Sequence, residues 1–165
     1  MSSETSTPET KAWSPELEED LRRALAQFEI TLEAGLLEPV VTLNALDILA
    51  AAKILKEDPA LDFDYVRCLS GMDYAEHLQV VYHLYSITKR HKVTVKVSLP
   101  KDKPTVDSVS SVWEAANWHE REAADMFGIE FAGHPQLVTI LLEEGFEGHP
   151  LLKSYELPPF EEWSP

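Results

Sequence analysis

The clearest periodic pattern in this chain is a strict alternation of apolar and polar side chains over residues 92–99. Its apolar positions are Val93, Val95, Val97 and Leu99. A period of two predicts a β-strand with one buried face and one face in water. Residues 63–70 and 78–88 are also rich in strand-forming side chains. Because only short turns separate the three segments, we expect an antiparallel meander, and residues 39–43 predict a further short strand.

Three helices are predicted around these strands. The first is capped by Ser14, has Pro15 in its first turn, and carries an apolar stripe. That stripe consists of Leu17, Leu21, Leu25 and Phe28. Asn44 is the predicted cap of the second helix. The residues expected to face inward from it are Leu46, Leu49, Ala50 and Ile54. The third helix is predicted over residues 108–127.

The third helix carries a single carboxylate in the middle of its apolar face. At 100° per residue that face consists of Trp113, Ala116, Ala123, Ala124 and Phe127. Glu120 lies at its centre, where a carboxylate must find donors or shift its pKa upward. We interpret Glu120 as structural, bonded to backbone amides or a basic residue and holding the following loop. A role as general acid or proton relay is the alternative. Arg121 and Asp125 lie one turn apart on the other side and can pair.

After Phe127 the chain is rich in large apolar residues but has no sustained period. These residues are Phe131, Leu137, Ile140, Leu141, Leu142, Phe146, Leu151, Leu152, Tyr155, Leu157, Phe160 and Trp163. Glycines and prolines interrupt the segment too often for it to form a layer of its own. We expect part of it to lie on another protein, because large apolar patches seldom stay exposed on a monomer. Folding back over the open face of the sheet is the alternative.

Charge and cysteine content narrow the classes of partner and site. The formal charge is −15, from 29 acidic and 14 basic side chains. This balance argues against nucleic acid and against an anionic membrane surface, and it permits a basic protein partner. Cys68 is the single cysteine, which excludes a self-contained disulfide framework, CxxC zinc site or thiolate-held iron–sulfur cluster. We expect Cys68 to be a small buried apolar side chain. No apolar run approaches the roughly 20 residues that span a bilayer.

His119, His134 and His149 raise the question of a metal site. None of their spacings matches the HxH or HxxxH pattern of a preformed site, and metal binding needs three or four convergent ligands. Loop shaping and polar contacts to a partner explain His134 and His149 more simply, because each precedes a proline. A free-standing metal-dependent enzyme using Glu120, His119 and His134 is the remaining alternative of this kind.

Two blocks of sequence resemble a known family. Residues 120–135, EREAADMFGIEFAGHP, closely resemble the signature of the 30-kilodalton subunit of respiratory complex I, NADH:quinone oxidoreductase. Residues 146–151, FEGHPL, resemble the second block of the same family. Trp113 and Trp118 just upstream also fit. The detailed match covers residues 113–155.

The resemblance implies an α+β fold: a two-layer domain of helices on a largely antiparallel or mixed sheet, with an extended C-terminal arm. It implies the domain at residues 13–128 and the partner-docking arm at 129–165, and the Ser/Thr/Glu-rich composition of the N-terminus predicts a disordered tail at residues 1–12. It further implies a peripheral subunit without a cofactor, on the cytoplasmic side of the cell membrane. The expected partners are the 49-kilodalton quinone-site subunit and other subunits of the hydrophilic arm. The whole complex would pass electrons to a quinone and drive proton translocation.

By the same resemblance, two groups of residues are candidate sites. The structural motif comprises Glu120, Arg121, Glu122, Asp125, Phe127 and Gly128. The partner interface comprises Gly133, His134, Pro135, Phe146, Gly148, His149, Pro150, Lys153 and Tyr155. No catalytic, cofactor-binding or metal-binding residue is implied.

The sequence departs from the family pattern at Val138, Thr139 and Leu152, where the family usually has basic residues. Arginine makes bidentate contacts, so its loss implies a changed partner surface. The alternative is therefore the equivalent subunit of a related ferredoxin-linked or F420-linked complex, or of a membrane-bound hydrogenase.

Overall fold

The structure is a computed structural model that describes residues 13–156 of the chain. The tail expected at residues 1–12 and the last part of the expected arm, residues 157–165, lie outside this range. The helices are α1 (Pro15–Ala24), α2 (Ile48–Glu57) and α3 (Ala116–Phe127). The strands are β1 (Thr31–Ala34), β2 (Pro39–Leu43), β3 (Tyr65–Asp73), β4 (His77–Tyr85), β5 (Lys92–Pro100), β6 (Thr105–Asp107) and β7 (Glu130–Ala132). A single 3-10 turn, Ala45–Asp47, precedes α2. No helix in the described range is long and apolar enough to cross a bilayer.

The main sheet has the strand order β1-β2-β5-β4-β3. Strands β3, β4 and β5 form the antiparallel meander that their short turns predicted. Strand β2 pairs parallel with β5, so the sheet is mixed, and β6 and β7 form a second small parallel ladder. The buried residues of all three helices join those of one sheet face in a single core. The α+β fold class, with helices on a mixed sheet, is confirmed.

The alternation over residues 92–99 is confirmed on its apolar side. Val93, Val95, Val97 and Leu99 are at most 1% exposed. The polar face of this strand is less exposed to solvent than predicted, because Thr94 is only 5% exposed and donates a hydrogen bond to Glu38. Cys68 is half-buried rather than buried, because it follows an irregularity in the pairing of β3 with β4.

Two helix predictions need correction. Helix α2 begins at Ile48, because the 3-10 turn delays its start, and the Asn44 side chain forms no cap. The phase of the buried stripe therefore changes, and Leu46 is 89% exposed. The residues that α2 buries are Ile48, Ala51, Ala52 and Leu55. Helix α3 begins at Ala116 instead of Ser108. Strand β1 escaped prediction because it is a short edge strand with three of its four residues exposed.

Helix α3 packs on β3, and Trp113 just before it secures the contact. The indole is 4% exposed, and its Nε1–H donates to the carbonyl oxygen of Phe63 at 2.8 Å. At the other end of the helix the Phe127 ring lies on Gly71, where any Cβ would come within 2.5 Å of the ring. These contacts fix the orientation of α3, and hence of Glu120, on the sheet.

Trp113→Phe is expected to lower the free energy of unfolding by about 1–2 kcal/mol, because the buried Phe63 carbonyl loses its donor. Urea melts followed by circular dichroism measure the change. Trp118→Phe is the matched control, since Trp118 is 63% exposed and should shift the melt by less than about 0.5 kcal/mol. Equal effects of the two substitutions would contradict the assignment of the indole bond.

Candidate functional site

Glu120 is fully buried and binds the loop that precedes its own helix. Its Oε2 accepts from the Ser108 hydroxyl at 2.6 Å, and its Oε1 accepts from the backbone N–H of Val109 at 2.7 Å. The loop held by this carboxylate is therefore residues 108–109, not the loop after α3 that the sequence suggested. Burial raises the pKa of Glu120 to about 7, although the bonds from Ser108 and Val109 oppose the rise.

His134 lies against the same carboxylate. Its side chain is fully buried, with Nε2 at 3.8 Å from Glu120 Oε2 and 3.2 Å from the carbonyl oxygen of Asn117. Its Nδ1 accepts from the N–H of Gln136 at 3.0 Å, so the neutral ring carries its proton on Nε2. An enclosed side chain can influence a partner only by shaping the turn at residues 133–136.

Two of the three histidines considered as metal ligands, His134 and His149, lie next to different backbone carbonyls. His149 Nδ1 lies 2.8 Å from the carbonyl oxygen of Asp125 near the C-terminal end of α3, whereas His134 contacts that of Asn117 near its N-terminal end. Within residues 13–156, no group of three or more His, Cys, Asp or Glu side chains is placed to hold a metal ion. The geometry offers no support for the metal-dependent alternative.

Arg121 and Asp125 both form hydrogen bonds to the backbone of the segment that follows β7. Arg121 Nε donates to the carbonyl oxygen of Val138 at 2.9 Å, and Nη2 donates to that of Thr139 at 3.0 Å. Asp125 Oδ2 accepts from three successive backbone amides. These are Ile140 at 2.8 Å, Leu141 at 2.9 Å and Leu142 at 3.3 Å. We call this arrangement the backbone clamp.

The charge state of Asp125 suits the clamp. Burial raises its pKa, but the three backbone amides and the charge of Arg121 outweigh that effect and lower the pKa below its ordinary value. The carboxylate is thus ionised at neutral pH and accepts all three donors. Arg121 and Asp125 cooperate by holding neighbouring parts of one loop, rather than by the simple ion pair that their spacing suggested.

The second Gly-His-Pro turn closes on the end of α3. Gly128 has φ +70°, and a Cβ there would lie 2.6 Å from the His149 ring. Gly148 has φ +85°, and a Cβ there would lie 2.9 Å from Tyr155. Both positions thus exclude side chains by space as well as by backbone conformation. The N–H of Leu151 donates to the carbonyl oxygen of Met126 at 3.1 Å.

The arm then reaches the hairpin between β3 and β4. The N–H of Lys153 donates to Asp73 Oδ2 at 2.8 Å, and the other Asp73 oxygen pairs with Lys101 at 2.6 Å. Sequence reasoning missed Asp73 as the partner of the arm and Ser108 as the partner of Glu120. Ordinary polar residues near turns carry no signal that distinguishes such long-range partners.

The arm begins later than the sequence suggested. Ile129 is 1% exposed and Phe131 is 2% exposed, because residues 130–132 form β7 beside β6 within the core. From Gly133 onward several large apolar side chains are exposed, whereas Ile140, Leu142 and Leu152 are half-buried. The exposed ones are Leu137 (38%), Val138 (48%), Leu141 (61%), Phe146 (39%) and Leu151 (54%), which we call the arm surface. Gly133 and Pro135 are exposed beside it, as is Lys153, whereas Pro150 and Tyr155 are half-buried.

Comparison with known proteins agrees with this architecture. Residues 41–161 match the family profile described as the respiratory-chain NADH dehydrogenase 30 kDa subunit. A relative from Chloroherpeton thalassium, one of the subunits of NADH-quinone oxidoreductase, is 44% identical over 129 residues. That alignment covers 76% of this chain but only 54% of the relative, so this chain spans about half of that protein's length.

Two solved structures share the fold. A trypsin-resistant fragment of Nqo5 superposes with a TM-score of 0.64 and 30% identity, covering 74% of this chain and 99% of the fragment. A chain of the membrane-bound sulfane sulfur reductase, an archaeal respiratory membrane complex, gives a TM-score of 0.70 at 22% identity. That match covers 85% of each chain, and at this identity it shows the fold alone.

Proposed function

This chain belongs to the family of the 30 kDa subunit of respiratory-chain NADH dehydrogenase, and from that premise we propose that it is a scaffold subunit without a cofactor. In this role it docks on the large 49-kilodalton-type subunit of a complex I-like NADH:quinone oxidoreductase. Electron transfer and proton translocation take place in other subunits of the complex. The protein lies at the periphery, on the cytoplasmic side of the membrane.

The arm surface is the observation that supports this proposal. The backbone clamp and the bond from Lys153 to Asp73 hold the arm in a defined path, yet five large apolar side chains remain at least 38% exposed. A path that is ordered but leaves apolar groups in water is typical of a preformed interface. The core, in contrast, needs no contribution from these side chains.

The charges near the arm surface favour a partner with a basic face. Glu143, Glu144 and Glu147 are exposed, and Lys153 is the only lysine or arginine in residues 133–156. The side chains of Val138 and Thr139 are exposed as well, because Arg121 binds only their carbonyls. The departures at Val138 and Thr139 therefore alter the outward-facing side chains and leave the clamp intact.

The test is to purify the affinity-tagged full chain from membranes of its native source and to identify its partners by mass spectrometry. The proposal expects a 49-kilodalton-type subunit in equal amount. A large subunit with four nickel-binding cysteines would favour the hydrogenase-type alternative. Recovery of the chain as a lone monomer, with no larger metalloprotein, would refute both.

A pair of substitutions separates docking from folding. Leu141→Ser with Leu151→Ser should leave the free energy of unfolding within about 1 kcal/mol of the parent, because both side chains are largely exposed. It should reduce partner recovery by about tenfold or more, because apolar anchors dominate interfaces. The control is Leu46→Ser with Ile87→Ser, at 89% and 60% exposure outside the arm. Equal recovery for the two double variants would contradict docking through the arm.

A further inference from the structure

The face of the main sheet opposite the helices is open within the described residues. The side chains that α1, α2 and α3 bury all join the core on one face, whereas Val40, Val81 and His83 point to the other. A cavity of about 440 Å³ runs across this second face, from the loop before β2 to the β3–β4 hairpin. We call it the open-face groove. It lies on the side of the sheet away from α3 and the arm.

The floor of the groove contains a closed hydrogen-bond cluster around Glu38. Its Oε1 accepts from the Thr94 hydroxyl at 2.5 Å and lies 3.0 Å from His83 Nδ1, while its Oε2 accepts from Arg67 Nη1 at 3.0 Å. Burial raises the pKa of Glu38, but the bonds from Thr94 and His83 and the charge of Arg67 lower it below its ordinary value. The carboxylate is thus ionised, and Arg67 balances its charge.

Two lysines at the groove remain without an acidic partner. Lys92 and Lys96 project from β5 into it, and neither forms an ion pair with any residue of the described chain. Glu33, on the neighbouring edge strand, is the further carboxylate whose register places it on this face. The groove lining therefore carries three cations against Glu38 alone, although the whole chain has a formal charge of −15.

Apolar side chains surround the two lysines. Leu36 is 94% exposed, Leu37 62%, Met72 41% and Tyr74 37%, and all four line the groove. Leu37 and Lys92 also line a neighbouring cavity of about 640 Å³, whose charged lining includes Glu16, Asp20, Lys89 and Arg90. A long concave surface with apolar walls and unpaired lysines fits an extended polypeptide better than a compact ligand.

We propose that the open-face groove binds a segment of a second protein partner, in which carboxylates alternate with apolar side chains. The carboxylates pair with Lys92 and Lys96, and the apolar side chains cover Leu36, Leu37 and Met72. The overall charge of the chain disfavours an anionic membrane as occupant. This surface goes beyond the arm docking proposed above, since it would give the protein a second neighbour on its opposite side.

The test uses the tagged full chain twice, in the assembly from native membranes and expressed alone. Both samples are acetylated with an amine reagent. A separate, unacetylated portion of the assembly is treated with a carbodiimide, which joins free amines directly to carboxylates in contact. Lys92 and Lys96 should react about tenfold more slowly in the assembly and should couple to Asp or Glu of another subunit. Lys53 and Lys103 are the controls, because both are exposed elsewhere.

A charge-reversal pair gives an independent measurement. Lys92→Glu with Lys96→Glu should lower recovery of the coupled partner about tenfold, because the groove lining would then carry three carboxylates against Arg67 alone. Lys53→Glu with Lys103→Glu changes the net charge equally and should have no effect. Lys92→Gln with Lys96→Gln replaces the first variant if thermal melts show that it does not fold.

The possible outcomes separate this inference from the proposed function. Equal reactivity of Lys92 and Lys96 in both samples, with the arm still docked, would overturn the open-face groove alone. Coupling of these lysines to a second copy of this chain would also overturn it. Recovery of the chain without partners would overturn the proposed function together with it.

Discussion

Glu120→Ala is expected to lower the free energy of unfolding by about 2–3 kcal/mol, one of the two largest effects that the structure predicts. The substitution removes the acceptor of the Val109 amide and of the Ser108 hydroxyl, both within the buried interior. It also leaves a space beside the His134 ring. Urea melts of the parent and the variant at pH 7 measure the loss.

The way in which the free energy of unfolding depends on pH tests whether Glu120 is buried. The pKa of Glu120 is raised from 4.5 to about 7 in the folded chain, so folding favours its protonated form. The contribution of the protonated side chain to the free energy of unfolding is fully present below about pH 4.5. It is lost as the pH rises through about 7. Relative to Glu120→Gln, the parent should therefore lose on the order of 3 kcal/mol between pH 4.5 and 8.

Comparison with Glu120→Gln is needed because Glu38, Asp73 and Asp125 act in the opposite direction. Their pKa values are lowered, so their contributions are lost as the pH falls. Those groups are the same in both proteins and cancel in the difference. If the parent and Glu120→Gln gave parallel stability curves from pH 4.5 to 8, the raised pKa would be wrong.

Asp125→Ala should have its largest effect on assembly. Without the carboxylate, the amides of residues 140–142 lose their common acceptor, and the arm loses one side of the backbone clamp. These amides lie near the surface and can turn to water, so the free energy of unfolding should fall by only about 1 kcal/mol. Recovery of the large subunit should fall by about ten- to a hundredfold, because a loosened arm must be ordered again on docking.

Two measurements check this prediction, with a control on the same helix. Hydrogen exchange of residues 140–142 should accelerate in Asp125→Ala, while exchange in β4 and β5 should stay unchanged. Glu122→Ala is the matched control, since Glu122 is an exposed carboxylate of α3 with no hydrogen bond to the arm. Global unfolding of Asp125→Ala at moderate urea would show instead that the loop at residues 138–142 belongs to the core.

The sequence-based predictions were accurate where a pattern depends on neighbouring residues, and inaccurate where it depends on contacts between residues far apart in the chain. The β5 alternation and the α1 stripe were recognisable because periodicity depends on neighbouring residues. The start of α2 was misplaced because a 3-10 turn shifts the phase without a distinctive residue. Helix α3 was predicted to begin too early. Residues 108–109 lie outside the helix and are bound by the side chain of Glu120, 11–12 positions away.

In the candidate site, too, features set by local sequence could be predicted and contacts between distant residues could not. The position of Glu120 on an apolar face could be predicted from helix geometry, and two blocks of sequence identified the family. The partners of Glu120 could not be predicted, nor could the backbone clamp. Arg121 and Asp125 bind main-chain groups, which are present at every residue and leave no mark in the sequence of the loop.

The sequence by itself determined the strand meander, the amphipathic character of α3, the family and the excess of apolar residues after β7. These properties are carried by side chains at regular or neighbouring positions. Only the tertiary structure decided that β2 runs parallel to β5, that the arm is tied through its backbone, and that one sheet face is open. A periodic pattern shows which side of an element a residue occupies, but what covers that side depends on contacts between segments far apart in the chain.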